Sequence, residues 1–155
     1  MTRTIPWPEA IEHAVFQARL SPCCKSKRGA AIVLLGQVVA AGHNYLPARL
    51  ACTGDDACRA ACGKRCVHAE VDALQQLPKS SGLVELVHVK VNAEGEPVPG
   101  GGPSCWQCAR DLLADGRVKA VWLLHAEGWR RYPITEFYAL TMVECGLIPQ
   151  AGEGQ

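Results

Sequence analysis

The order of secondary-structure signals predicts an α/β fold: a three-layer α/β/α sandwich around a mixed sheet of four to five strands. Three observations predict it. Two short apolar runs flank a tight glycine turn near the N-terminus. Further apolar runs then alternate with helical periodicities. The length of 155 residues suits one domain, residues 1–150, with a disordered tail over 151–155.

Residues 8–20 read as a helix, because Ile11, Ala14, Val15 and Ala18 recur at helical spacing and Pro8 suits a first turn. Gly29–Leu35, Gly36-Gln37 and Val38–Ala41 read as a hairpin. Residues 44–66 are rich in Cys, Gly and Asp and read as loop. A helix starts near Val67, with Val67, Val71 and Leu74 on one face, and stops at Pro78 and Gly82. Val84–Val91 is a buried strand, and Asn92–Pro103, rich in Gly and Pro, is a loop. A helix runs from about Cys105 to Ala114, and Asp115-Gly116 ends it. Val118–Leu124 is a strand, and residues 133–145 are the last helix. An antiparallel hairpin followed by parallel crossovers gives the mixed sheet.

About half of the residues are apolar (48%) and the net charge is +1, so no strong field draws long polyanions. A small substrate is therefore expected, and long nucleic acid is not. The N-terminus lacks a signal-peptide run, and the longest apolar stretch, Ala30–Leu35, is too short to cross a membrane. A cytoplasmic protein is expected, with reduced thiols. Nine cysteines in such a compartment read first as metal ligands. Cys145, alone in an apolar segment, reads as a small buried hydrophobe.

Two motifs carry chemistry: His68-Ala69-Glu70 and Cys105-Trp106-Gln107-Cys108. Each falls at an expected helix N-terminus. Cys105 and Cys108 lie on one face of a helical turn, so both sulfurs reach one ion. One His and two Cys leave a tetrahedral zinc one open position, as catalysis requires. A zinc so held makes hydroxide available near neutral pH. Glu70 is free to carry protons instead of ligating. The helix N-termini help keep the thiols ionised. The two motifs in this order, 37 residues apart, form the signature of zinc deaminases. The alternative is a closed zinc site completed by one more cysteine, which leaves Glu70 without a role.

With these residues the chain resembles the cytidine deaminase superfamily, and its N-terminal half resembles deoxycytidylate (dCMP) deaminases. The resemblance covers roughly residues 8–125. It rests on Cys23-Cys24-Lys25-Ser26-Lys27-Arg28-Gly29-Ala30, Gly42-His43-Asn44-Tyr45-Leu46-Pro47, Cys52-Thr53 and His68-Ala69-Glu70-Val71-Asp72-Ala73. It implies a cytidine-deaminase-like sheet. It also implies that Asn44 bonds the substrate sugar or base, and that the backbones of Ala69 and Ser104 hold the base edge. Lys25, Lys27 and Arg28 become candidates for a nucleotide phosphate, with a solvated basic turn as the alternative. The chain departs from the family in four places. Ser104 stands where a Pro precedes the first zinc cysteine, and Ala93–Pro103 is longer. Tyr45 replaces a Gly, and Asp72 replaces an Asn.

Cys23, Cys24, Cys52, Cys58, Cys62 and Cys66 surround one loop. The same resemblance implies a second, structural zinc there, matching Cys23 and Cys52, with free or redox-active thiols as the alternative. Cys66 is assigned either to that site or to packing. Trp106 reads as core packing, and His43 as packing or support for the site. Trp129-Arg130-Arg131-Tyr132 reads as a solvated turn, or as a segment that closes over substrate.

The reading is therefore a zinc-dependent hydrolytic deaminase of a pyrimidine nucleotide or nucleoside, dCMP to dUMP first, taking water and releasing ammonia. The same chemistry on a purine, a modified base or single-stranded nucleic acid is the alternative. A zinc-stabilised binding module without turnover is a third reading. Assembly as a homo-oligomer is implied by the resemblance alone.

Overall fold

The structure is a computed structural model and describes residues 3–100, 102, 105–150 and 152. Its elements in chain order are α1 (Pro8–Leu20), β1 (Lys27–Leu34), β2 (Gln37–His43), a 3₁₀ turn (Pro47–Arg49), α2 (Asp56–Arg65), α3 (Ala69–Gln76), β3 (Val84–Val91), β4 (Pro97–Val98), α4 (Trp106–Asp115), β5 (Val118–His125), β6 (Gly128–Pro133) and α5 (Ile134–Glu144).

Both faces of the central strands are covered. Burial therefore runs without break through Ala30–Val33 and Val84–Val89, where a half-exposed strand would alternate. The strand order is β2-β1-β3-β5-β6, with β4 paired to the end of β3. Only β3 and β5 are parallel, joined through α4, and the other pairings are antiparallel. The expectation of several parallel crossovers is corrected to one. On one face α1 lays Ala10, Ala14 and Ala18 on Ala31, Val33, Val87, Val89 and Trp122. On the other, α3, α4 and α5 bury Ala73, Leu112 and Phe137 against Ile32, Leu86 and Val121. The three layers are as expected.

Two glycines set how closely the helices approach. A Cβ on Gly29 would sit 2.0 Å from the Ala14 carbonyl oxygen, and one on Gly42 would sit 2.5 Å from the Ala73 nitrogen. They occupy adjacent rungs of the hairpin, Gly29 opposite His43 and Gly42 opposite Ala30. Gly29→Ala therefore forces α1 off the sheet. The expected loss is about 3 kcal/mol, the upper end for overpacking, read as a lower urea midpoint.

The structure corrects several other expectations. The hairpin turns at Leu35-Gly36, both at positive φ, one residue earlier than expected. Residues 56–65, expected as loop, form α2, whose N-cap Asp55 accepts a hydrogen bond from the Cys58 N–H. In α3 the buried residues are Ala69, Glu70, Asp72 and Ala73, while Val71 and Leu74 are only half-buried. Short β4 interrupts the 92–103 loop. Residues 129–132 are neither a solvated turn nor a flap: they form edge strand β6, with Tyr132 buried and Arg131 paired to the buried carboxylate of Glu85. Cys145 is exposed, because α5 ends beside it. Trp106 is also exposed (37%), stacked under the Arg110 guanidinium. Within the tail, only Gly152 lies among the described residues. No helix is long and apolar enough to cross a membrane.

Candidate active site

His68 is the N-cap of α3 and Cys105 the N-cap of α4, so both motifs sit where helix N-termini converge. The Cys105 sulfur caps its own helix by accepting the Cys108 N–H at 3.4 Å. The α4 turn then carries Cys108 to the same point. His68 Nδ1 lies 3.1 Å from both Cys105 Sγ and Cys108 Sγ, and the two sulfurs are 3.2 Å apart. Among the described residues this is the only set of three or more His, Cys, Asp or Glu donors lying within 4.8 Å of one another.

The electrostatics of the triangle favour a cation. The Cys105 thiol is lowered to about 5 by the hydrogen bond from the Cys108 thiol and by the His68 ring. The Cys108 thiol is pushed up by that same bond and by burial. The adjacent Cys105 sulfur raises the pKa of His68, against burial. Two thiols and an imidazole therefore crowd one point whose negative potential favours a positive ion. Their spacing is about half an ångström tighter than tetrahedral bonds of about 2.0–2.3 Å require. The donor set fits zinc.

Glu70 follows His68 by two residues and is 4% exposed, within the first turn of α3 where the helix field favours a negative charge. The triad opens on a cavity of about 370 Å³. Its lining includes Lys25, Arg28, Asn44, Ala69, Glu70 and His88. Arg28 is held in place by bonds from Nε to Ser26 Oγ (2.9 Å) and from Nη2 to the Gly100 carbonyl (3.3 Å). Asn44 is buried and clamps the start of β1. Its Oδ1 accepts the Arg28 N–H (2.8 Å) and its Nδ2 donates to the Ser26 carbonyl (2.6 Å). One Nδ2 hydrogen remains for another acceptor. His43 donates Nδ1–H to Gln17 Oε1, and its backbone N–H bonds the carboxylate of Asp72, joining β2 to α3.

The structure brings together His68, Glu70, Cys105, Cys108, Asn44, Ala69, Lys25 and Arg28. Lys27 faces away from this cavity, toward a shallow outer one. Ser104 lies outside the described residues. Four of the six remaining candidate thiols form two pairs. Cys52 and Cys58 sulfurs are 3.7 Å apart, with the Cys24 N–H bonded to Cys52, and Cys62 and Cys66 sulfurs are 3.1 Å apart. Cys23, Cys62 and Cys66 line the cavity mouth. His88 was not expected here. The signal that marks it is a lone imidazole within the apolar run Val84–Val91.

No family model and no curated protein matches the chain. Solved structures do. The dCMP deaminase of cyanophage S-TIM5 in apo form is 25% identical, with a TM-score of 0.52 over 73% of this chain and 77% of that one. The same enzyme in complex with dCMP and dUMP is 27% identical, with a TM-score of 0.52 over 74% and 79%. A mutant cytidine deaminase from Mycobacterium tuberculosis shares the fold at 20% identity and a TM-score of 0.50, over 82% and 91%. The sheet, the His-Cys-Cys triangle at two helix N-termini and these likenesses lead to one assignment: the chain is a member of the cytidine deaminase superfamily, hydrolases that act on C–N bonds.

Proposed function

We propose that the chain is a zinc-dependent deaminase of a pyrimidine nucleotide, converting dCMP to dUMP with release of ammonia. The observation that carries this reading is one cavity with two chemistries: the metal-binding triangle with Glu70, and the cations Lys25 and Arg28 in its wall. The likeness to a phage dCMP deaminase supports it.

His68, Cys105 and Cys108 would hold zinc, which would lower the pKa of water and make hydroxide available. Glu70 takes the proton that water loses and passes it to the ring nitrogen beside the amine-bearing carbon as the hydroxide oxygen bonds that carbon. It then carries the new hydroxyl's proton to the amine, the C–N bond breaks, and ammonia leaves. Glu70 is 4% exposed, which shelters the proton on this carboxylate between steps. The Ala69 backbone, with that of Ser104, holds the base edge, and the remaining Nδ2–H of Asn44 meets a base or sugar oxygen. Arg28 and Lys25 take the phosphate, with Arg28 held ready by Ser26 and Gly100.

The reading includes a structural zinc among Cys23, Cys24, Cys52, Cys58, Cys62 and Cys66, which requires the two sulfur pairs to come together, since no three of these thiols stand within 4.8 Å of one another among the described residues. It also includes a homo-oligomer, supported by Phe16 and Leu20, exposed four residues apart on α1.

The test is ammonia release across dCMP, CMP, deoxycytidine, cytidine, cytosine, adenosine, guanine and short single-stranded oligonucleotides. Turnover of dCMP without turnover of deoxycytidine is expected. Arg28→Ala should raise KM for dCMP by about ten- to a hundredfold, the worth of one charged hydrogen bond. Equal turnover of deoxycytidine and dCMP overturns the phosphate assignment, and turnover of another base alone overturns the substrate.

A further inference from the structure

β3 places a histidine where its neighbours on the same face, Val84 and Leu86, are aliphatic core residues. His88 pairs across the ladder with Ala30, whose small side chain leaves room for a ring. The imidazole is only 5% exposed, yet it borders the cavity between Glu70 and Gly100. Its Nε2 lies 3.6 Å from Glu70 Oε1, and both side chains are almost fully buried. That nitrogen makes no hydrogen bond among the described residues.

A buried ring nitrogen without a partner is uncommon, because burial removes water and returns nothing. Here a carboxylate oxygen stands just beyond bonding distance. A small rotation of either side chain, closing roughly half an ångström, makes the bond. Burial holds the ring neutral although Glu70 pulls the other way, so it carries a single N–H. On Nε2 that hydrogen faces the Glu70 carboxylate.

We propose that His88 is a positioning residue: its Nε2–H donates to the Glu70 carboxylate and fixes which oxygen faces the cavity. The inference rests on Glu70 as the proton carrier. A carboxylate that must collect and deliver protons at two places needs a defined orientation. The chain supplies that from beneath, through the most deeply covered strand of the sheet. A hydrophobe at position 88 would fill the space but offer the carboxylate no N–H.

Two readouts test it. In the zinc-loaded protein, ¹⁵N-imidazole NMR should find His88 with its proton on Nε2, and Glu70→Ala should shift that resonance. A proton on Nδ1, or an Nε2 resonance indifferent to Glu70→Ala, overturns the proposal. In the ammonia assay, His88→Leu should lower kcat about tenfold with KM within about twofold. His88→Gln, which keeps an N–H near the position of Nε2, should recover most of the rate. Equal rates for the Leu and Gln variants overturn the proposal. A wild-type protein that deaminates nothing overturns the role of Glu70, and the NMR result then decides the hydrogen bond by itself.

Discussion

Glu70→Gln should remove turnover while leaving the fold and the metal in place. The amide keeps the shape of the buried side chain but exchanges no proton, so kcat should fall by at least about a hundredfold. Zinc content should stay at the wild-type value, because Glu70 is not one of the three donors in the triangle. The thermal midpoint should hold or rise, because the variant no longer buries a carboxylate at 4% exposure. Ammonia release, metal analysis and a melting curve on one preparation read all three. Retained turnover would sink the assignment of Glu70, and lost zinc would make it a ligand.

Loss of the triangle should cost both activity and stability. Cys108→Ala removes a metal donor that is 2% exposed and keeps the backbone N–H that caps α4 on Cys105. Native mass spectrometry should then count one zinc fewer per chain, with no ammonia released. At free zinc near a thousand times Kd, binding contributes about 4 kcal/mol to the folded state. For a chain of this size that corresponds to roughly 10 °C in Tm, and a chelator should produce the same drop in the wild type. Cys52→Ala should also lower the count by one, from two, yet leave dCMP turnover near wild type. A wild-type count of one, unchanged by Cys52→Ala, would remove the structural zinc from the reading.

The motifs were legible because their chemistry is local. His68 with Glu70, and Cys105 with Cys108, each lie within one helical turn, so spacing alone brings their donors together. α1, β3 and β5 were legible because their apolar runs are dense. What the sequence hid is amphipathic or poor in apolar residues. α2 reads Asp-Ala-Cys-Arg-Ala-Ala-Cys-Gly-Lys-Arg, and only its cap, Asp55, announces a helix. β6 reads Trp129, Arg130, Arg131 and Tyr132, with no two-residue alternation. The two arginines suggested solvent, but Arg131 meets Glu85, a residue 46 positions away that no local pattern can pair with it. His88 was hidden for the same reason, since its significance depends on Glu70 standing opposite. Trp106 and Cys145 were misplaced because an apolar side chain carries no sign of which side of its helix is covered.

The paired glycines of the hairpin bear on how this protein can change over generations. At Gly29 and Gly42 the helices on opposite faces of the sheet rest on backbone atoms. The depth at which α3 holds Glu70 is therefore set by a hard stop and not by the sizes of interchangeable side chains. Core positions such as Val33, Val87 or Leu112 can drift in volume and repack locally while Glu70 keeps its station. A lineage can thus diversify most of its interior and still retain the reaction, provided those two positions stay without side chains.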